Sequence, residues 1–242
     1  MYIPTDKEVF HVHTRRCRHA SDEADEAYVK AAINIGADRI VFTDHAPFPG
    51  NPFGSRMLYE ELPEYISSLQ ALKDKYASVI EVIAGLEIEY FPSFEEYYQE
   101  LKDTSELEVL MLGQHMFEVS PGRYSFHYRD LWFPHIAESV IQGIKTGFFD
   151  GVAHPDRVFK KESAWTDEMQ RLSEMIIQEA GKRSMFLEQN ESSRRQTGHY
   201  WPQFWAAAER MKNDFDPELL IIKGSDAHST KEISEKGLVL LP

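Results

Sequence analysis

The chain has 242 residues, 42% of them hydrophobic and 12% aromatic, enough to bury a sizeable core as one large domain over 1–242. Its formal charge of −14 leaves no basic stripe to neutralise a nucleic-acid backbone, which argues against long nucleic acid as a partner. A small phosphorylated ligand stays open, because bound cations would dominate the field of a metal site. The single cysteine, Cys17, permits no intrachain disulfide. The first residues carry no apolar signal region and no run is long enough to span a bilayer. A cytoplasmic, reduced setting with no membrane partner is therefore expected.

In chain order, Glu8 to His13 reads as a short strand, and alternation puts the rings of His11 and His13 on one face. Two imidazoles side by side make a ready metal-binding pair, and His19 follows in the loop. In that loop Cys17 is either a thiolate ligand or nucleophile, or a small packed residue. An acidic capping stretch leads into a helix over Tyr28 to Ile35, stopped by Gly36. The apolar run from Arg39 delivers His45 at the end of a second strand, and a proline- and glycine-rich loop follows, Ala46 to Met57. A helix over Tyr59 to Tyr76 precedes a third strand, Val79 to Glu87; a short helix over Phe94 to Lys102 precedes a fourth, Leu107 to His115. Met116 to Asp130 is aromatic-rich and reads as a long irregular loop, the sort that walls a substrate. Three further pairs follow: a helix to Thr146 and a strand ending at His154; a helix from Thr166 to Arg183 and a strand ending at Asn190; a helix over Trp201 to Asn213 and a strand running into Asp226 and His228.

Strand and helix thus alternate seven times, with short, near-continuous apolar strands, which predicts an α/β fold with a parallel sheet covered by helices. An open sheet and a closed barrel both satisfy that alternation. The barrel is favoured because His11, His13, His45, Glu87, His115, His154, Asp226 and His228 all fall at strand C-termini, and closure brings six strand ends around one mouth. With His19, these residues give nine nitrogen and oxygen donors. One zinc-like ion takes about four, so the count suggests two or three ions. Imidazole with carboxylate suits zinc, iron or manganese better than calcium or magnesium.

The pieces His-x-His-Thr-x-x-Cys-x-His-Ala at 11–20, Thr-Asp-His at 43–45, Gly-Leu-Glu at 85–87, Gly-Gln-His at 113–115, Ala-His-Pro at 153–155 and Ser-Asp-Ala-His at 225–228 resemble, in order, the PHP (polymerase and histidinol phosphatase) family. The Cys-x-His-Ala continuation is similar to its histidinol-phosphatase branch. The resemblance implies a distorted TIM-like (β/α)7 barrel with a trinuclear metal centre at the C-terminal ends of its strands. It implies that His11, His13, Glu87 and Asp226 hold one ion, that Glu87 bridges to a second held by His115 and His154, and that His19, His45 and His228 hold a third. Glu87 is preferred to Glu89 as the bridging carboxylate because it directly follows Gly85-Leu86. No motif ligand is missing, which weighs against a degenerate binding module.

The implied reaction is hydrolysis of a small phosphate monoester, foremost histidinol phosphate, by a metal-bridging hydroxide attacking in line. Glu87, Asp226 and His228 are the residues expected to carry catalysis, through the ions. Arg15, Arg16, Arg157, Arg194 and Arg195 lie on loops at the same mouth, and guanidinium matches phosphate bidentately. Glu188 and Asn190 are placed to recognise a substrate amine or hydroxyl, or to support a metal-binding histidine. His127 and His199 are candidate general acids. Asn190-Glu191-Ser192-Ser193-Arg194 lacks the glycine of the branch's Asn-x-Ser-Gly-x-Arg, a departure that touches the substrate more than the reaction. The alternatives are a phosphoesterase acting on nucleotides or short oligonucleotide ends, and a non-catalytic metal-binding domain.

Overall fold

The computed structural model describes residues 2–125, 132–215 and 217–236. Contacts divide the chain into two compact units, one built from Ile3–Glu87, Thr104–Leu110 and the segment from Lys223 on, the other mainly from Ile88–Asp103 and Met111–Ile222.

In the first unit, strand β1 (Glu8–Val12) leads to helix α1 (Asp25–Asn34), β2 (Arg39–His45), α2 (Leu62–Tyr76) and β3 (Glu81–Ile88). All five residues of β1 are buried, as expected of a strand covered on both faces. The β1–β2 and β2–β3 registers are parallel. Between Phe10 and Val12 the β1 register shifts, because His11 is a bulge with φ +68°. The face that His11 presents is therefore set by the bulge and not by simple alternation. Gly85 of β3 sits where any Cβ would lie 2.6 Å from the Val109 carbonyl oxygen, so only glycine lets the next strand approach so closely. Just past the last strand, Ala227 bridges in parallel to Val12, with His13 N–H donating to Ala227 O at 2.9 Å and Ala227 N–H to His11 O at 3.1 Å.

In the second unit, α3 (Glu95–Asp103) precedes β4 (Val109–Leu112), a hairpin of β5 (Phe117–Ser120) and β6 (Arg123–Ser125), α4 (Trp132–Thr146), β7 (Gly151–Val152), α5 (Asp167–Gly181), β8 (Phe186–Asn190), α6 (Glu191–Arg194) and α7 (Pro202–Met211). The pairings of β4 with β7 and of β7 with β8 are parallel. With β9 (Ile221–Gly224), which α8 (Thr230–Lys236) follows, the strands have the hydrogen-bonded order β1-β2-β3-β4-β7-β8-β9.

Two expectations are corrected here. The stretch after Met116 is not wholly irregular: Pro121-Gly122, with Gly122 at φ +72°, turns an antiparallel hairpin whose Tyr124 ring packs 4.9 Å from Phe91. Phe126, His127 and Tyr128 of that aromatic segment lie outside the described residues. The segment from Glu191 to Tyr200, which the sequence reads as loop, likewise contains the short helix α6, which Asn190 caps by accepting the Ser193 N–H. No helix among the described residues is long and apolar enough to cross a membrane.

Candidate metal centre

His11 and His13 leave β1 with their Nε2 atoms 2.9 Å apart. Glu87 Oε2, near the end of β3, lies 3.4 Å from His11 Nε2 and 3.5 Å from His13 Nε2. Asp226 Oδ1 lies 3.7 and 3.3 Å from the same two nitrogens. Donors about 2.0–2.1 Å from a tetrahedral zinc-like ion would be separated by about 3.3 Å. The donor atoms of His11, His13 and Asp226, and Glu87 Oε2 with the same two histidines, are spaced close to the edge of such a tetrahedron. Two imidazole tips facing each other beside two carboxylates make a set of donors that favours a cation among them. Burial opposes charge on His13, yet hydrogen bonding to Asp226 and Asp44 raises its pKa to about 9.

A second group adjoins it. His19 Nε2 and His228 Nε2 are 3.0 Å apart, the His19 and His45 rings are 5.3 Å apart, and these three histidines form a cluster with metal-binding spacing. Burial, then the neighbouring His13, lowers the His228 pKa to about 3, so its ring is neutral and able to ligate. His45 Nδ1 also lies 3.2 Å from Glu87 Oε2. In the second unit the His115 and His154 rings are 5.2 Å apart, and Glu89 Oε1 lies 3.1 Å from His115 Nδ1. Glu89 thus touches the His115 ring, whereas Glu87 Oε2 lies among the His11, His13 and His45 donors. The donor set fits divalent transition-metal ions.

The backbone is bent to this purpose. His11, His154 and Asp226 all have positive φ, at +68°, +31° and +49°. For residues other than glycine such geometry costs about 1–3 kcal/mol each and persists where the surroundings enforce it.

The arginines divide. Arg16 is buried, and all five of its N–H groups are engaged: a bidentate pair with Asp25 at 2.8 and 2.9 Å, Glu64 at 2.9 and 3.1 Å, and Thr14 Oγ1 at 3.1 Å. These contacts brace the loop that carries His19. Arg15 is exposed. Arg194 is exposed, paired with Glu191 at 3.1 Å and stacked 5.3 Å from the Tyr200 ring, and Arg195 is exposed on the same helix end. Arg157 is half-buried and held by Ser193 Oγ at 2.8 Å and Asn190 Oδ1 at 3.1 Å.

Of the two roles open to Glu188 and Asn190, the contacts match support of a metal-binding histidine. Both are wholly buried, and Glu188 Oε2 accepts the His154 main-chain N–H at 3.0 Å. Burial, followed by the charges of Arg157 and Lys160, lowers the pKa of His199. Cys17 is a packed thiol: its sulfur accepts the Ala20 N–H, and burial pushes its pKa up to about 11. Sequence reasoning missed Asp44, which is fully buried, accepts the Thr14 N–H at 3.1 Å and faces His13 Nδ1 at 3.7 Å. A carboxylate inside the apolar run 39–45 was its signal, since such a charge is kept only when partnered.

Strand order and the clustered donors are those of an α/β protein with a candidate metal centre. The PHP domain model matches residues 10–192, and the chain belongs to that family. The solved structures add the fold in full. A structure from Listeria monocytogenes assigned as a histidinol phosphatase superposes with a TM-score of 0.76 at 20% identity, covering 94% of this chain and 97% of that one. Histidinol phosphate phosphatase from Lactococcus lactis, complexed with zinc, L-histidinol and phosphate, superposes at 0.70 with 18% identity, covering 96% and 94%. The fold is accordingly a nearly closed, seven-stranded parallel barrel with helices. Among characterised sequences, a probable histidinol-phosphatase from Deinococcus radiodurans is 30% identical over 60% of this chain, and the match spans 59% of that protein's length. Histidinol-phosphatase from Bacillus subtilis is 22% identical over 92% of this chain and 94% of its own.

Proposed function

We propose that the chain is a metal-dependent phosphatase that hydrolyses histidinol phosphate, acting as a single PHP-type domain in the cytoplasm with three divalent ions of the zinc, iron or manganese kind. The observation that carries this reading is the convergence of the Asp226 and Glu87 carboxylates on the paired His11 and His13 nitrogens, each within 3.3–3.7 Å. His19, His45 and His228 would hold a further ion, and the His115–His154 pair another. Such ions, when bound, supply an acidified water and neutralise charge on a phosphate. Glu87 and Asp226 bring anionic oxygens that match the cations, and Glu89 and Asp44 hold the rings of His115 and His13 from behind. Arg157, fixed by Ser193 and Asn190, and the exposed Arg15 are the guanidinium groups proposed to meet the phosphate.

A phosphate-release panel on metal-reconstituted protein tests the reading. kcat/KM for histidinol phosphate should exceed that for adenosine monophosphate. A better rate on the nucleotide would leave only the phosphoesterase class standing; tight metal binding with no turnover on either would leave a binding domain.

A further inference from the structure

Past β7 the chain stops following the sheet. Ala153 N–H still donates to Leu112 O at 2.9 Å, but the next residue, His154, turns to φ +31° and ψ +57°. Its N–H leaves the ladder and goes to Glu188 Oε2 at 3.0 Å. A 3-10 turn follows, closed by Arg157 N–H on His154 O at 2.8 Å, and it swings the Arg157 guanidinium back toward β8. There Arg157 Nη2 donates to Asn190 Oδ1 at 3.1 Å, and Asn190 Nδ2 lies 3.3 and 3.4 Å from the two Glu188 oxygens. The contacts close a ring: Glu188, His154, the turn, Arg157, Asn190 and Glu188 again. Glu188 and Asn190 are 0% exposed, so neither offers a solvent-facing edge to a ligand.

The geometry points to Glu188 as a positioning residue that couples a metal-binding histidine to a phosphate-binding arginine. Its carboxylate holds the His154 main chain in a left-handed conformation that histidine does not favour unaided. Through Asn190 the same carboxylate helps orient Arg157, whose Nε and Nη2 also donate to Ser193 Oγ at 3.0 and 2.8 Å. Glu188 thereby sets where the ion sits relative to the cation that meets the phosphate, without touching substrate. This rests on the phosphatase reading for the role of Arg157.

The test uses the metal-loaded protein and three readouts: zinc affinity by chelator competition, inhibition by inorganic phosphate, and kcat/KM on histidinol phosphate and on p-nitrophenyl phosphate, which has no amine. Glu188→Gln keeps an oxygen for the His154 N–H but sets an NH2 against that of Asn190. It should weaken zinc binding about tenfold, and Glu188→Ala toward about 100-fold, the usual range for a group supporting a metal ligand from behind. Both should lower kcat/KM by the same factor on the two substrates. Asn190→Ala should weaken phosphate inhibition about tenfold while leaving zinc affinity within about twofold, since the Glu188–His154 contact survives. A loss confined to histidinol phosphate, with zinc affinity unchanged, would mean that Glu188 meets the amine and overturn the proposal. Unchanged zinc affinity in Glu188→Gln together with unchanged phosphate inhibition in Asn190→Ala would overturn it too. Failure of the unmodified protein to hydrolyse histidinol phosphate would remove the proposed substrate, and the zinc and phosphate measurements would still decide the positioning role.

Discussion

Arg16→Met separates two roles that a sequence cannot tell apart. If the guanidinium met substrate phosphate, its loss would raise KM and leave stability nearly untouched. In the structure it is 4% exposed, and its bidentate partner Asp25 is 6% exposed. Removing the cation strands a buried carboxylate, which costs about 3–5 kcal/mol. The Glu64 arm adds little, because that side chain is 62% exposed and solvent screens the pair. For a chain of this size each kcal/mol shifts Tm by about 2–4 °C, so Arg16→Met should lower Tm by roughly 6–20 °C. Arg16→Met combined with Asp25→Leu should recover more than half of the loss, since removing both charges leaves nothing uncompensated. Urea and thermal melts of the metal-free protein measure this without interference from bound ions. A melting temperature within about 1 °C of the unmodified protein, alongside a KM raised about tenfold, would refute the bracing role and return Arg16 to the substrate.

Elemental analysis of gently purified protein should give more than one equivalent of transition metal per chain; at most one after reconstitution would sink the trinuclear reading. Glu87→Gln should lower metal content and cut turnover more than about 100-fold, whereas Glu89→Gln, which loses only support for His115, should cost about 10- to 100-fold. The reverse order would place the bridging carboxylate at Glu89. Burial raises the Asp156 pKa from 3.8 to about 7, against hydrogen bonds from Trp201 N–H and Trp205 Nε1–H. An acid with its folded pKa raised is held neutral by the fold, so its contribution is favourable at low pH and is lost as pH rises from about 4 through about 7. The stability of Asp156→Asn relative to the unmodified protein should therefore improve by up to about 4 kcal/mol across that interval; a difference flat with pH would show that Asp156 ionises normally.

Much of the site was written locally in the chain, because each ligand ends or follows an apolar run that can only be a strand. Periodicity could not supply how His11 reaches its neighbour. Alternation alone pairs it with His13, yet the 2.9 Å approach comes through a left-handed bulge that no residue type announces. The partners of Arg16 were not legible, because Asp25 and Glu64 lie 9 and 48 residues away and charge type says nothing of which partner wins. Glu188 was legible as a residue near a strand end but not in its direction, since its partner is a main-chain N–H. The β5–β6 hairpin did carry a signal, Pro121-Gly122, that the surrounding aromatics obscured.

The bridge between Val12 and Ala227 has a bearing on how the protein is born. His13 and Asp226, which share one cluster of donors, are 213 positions apart. At about 5–20 residues per second, a ribosome finishes the second about 10–40 s after the first. Glu87 is made partway through that interval, but until its end the two imidazoles lack Asp226, and the place beside β1 that Ala227 takes is unfilled. The cup is completed by the last ligands to be translated, so ion capture waits on synthesis of the final strand, and a shortened chain ending before Asp226 would leave the ribosome unable to close it.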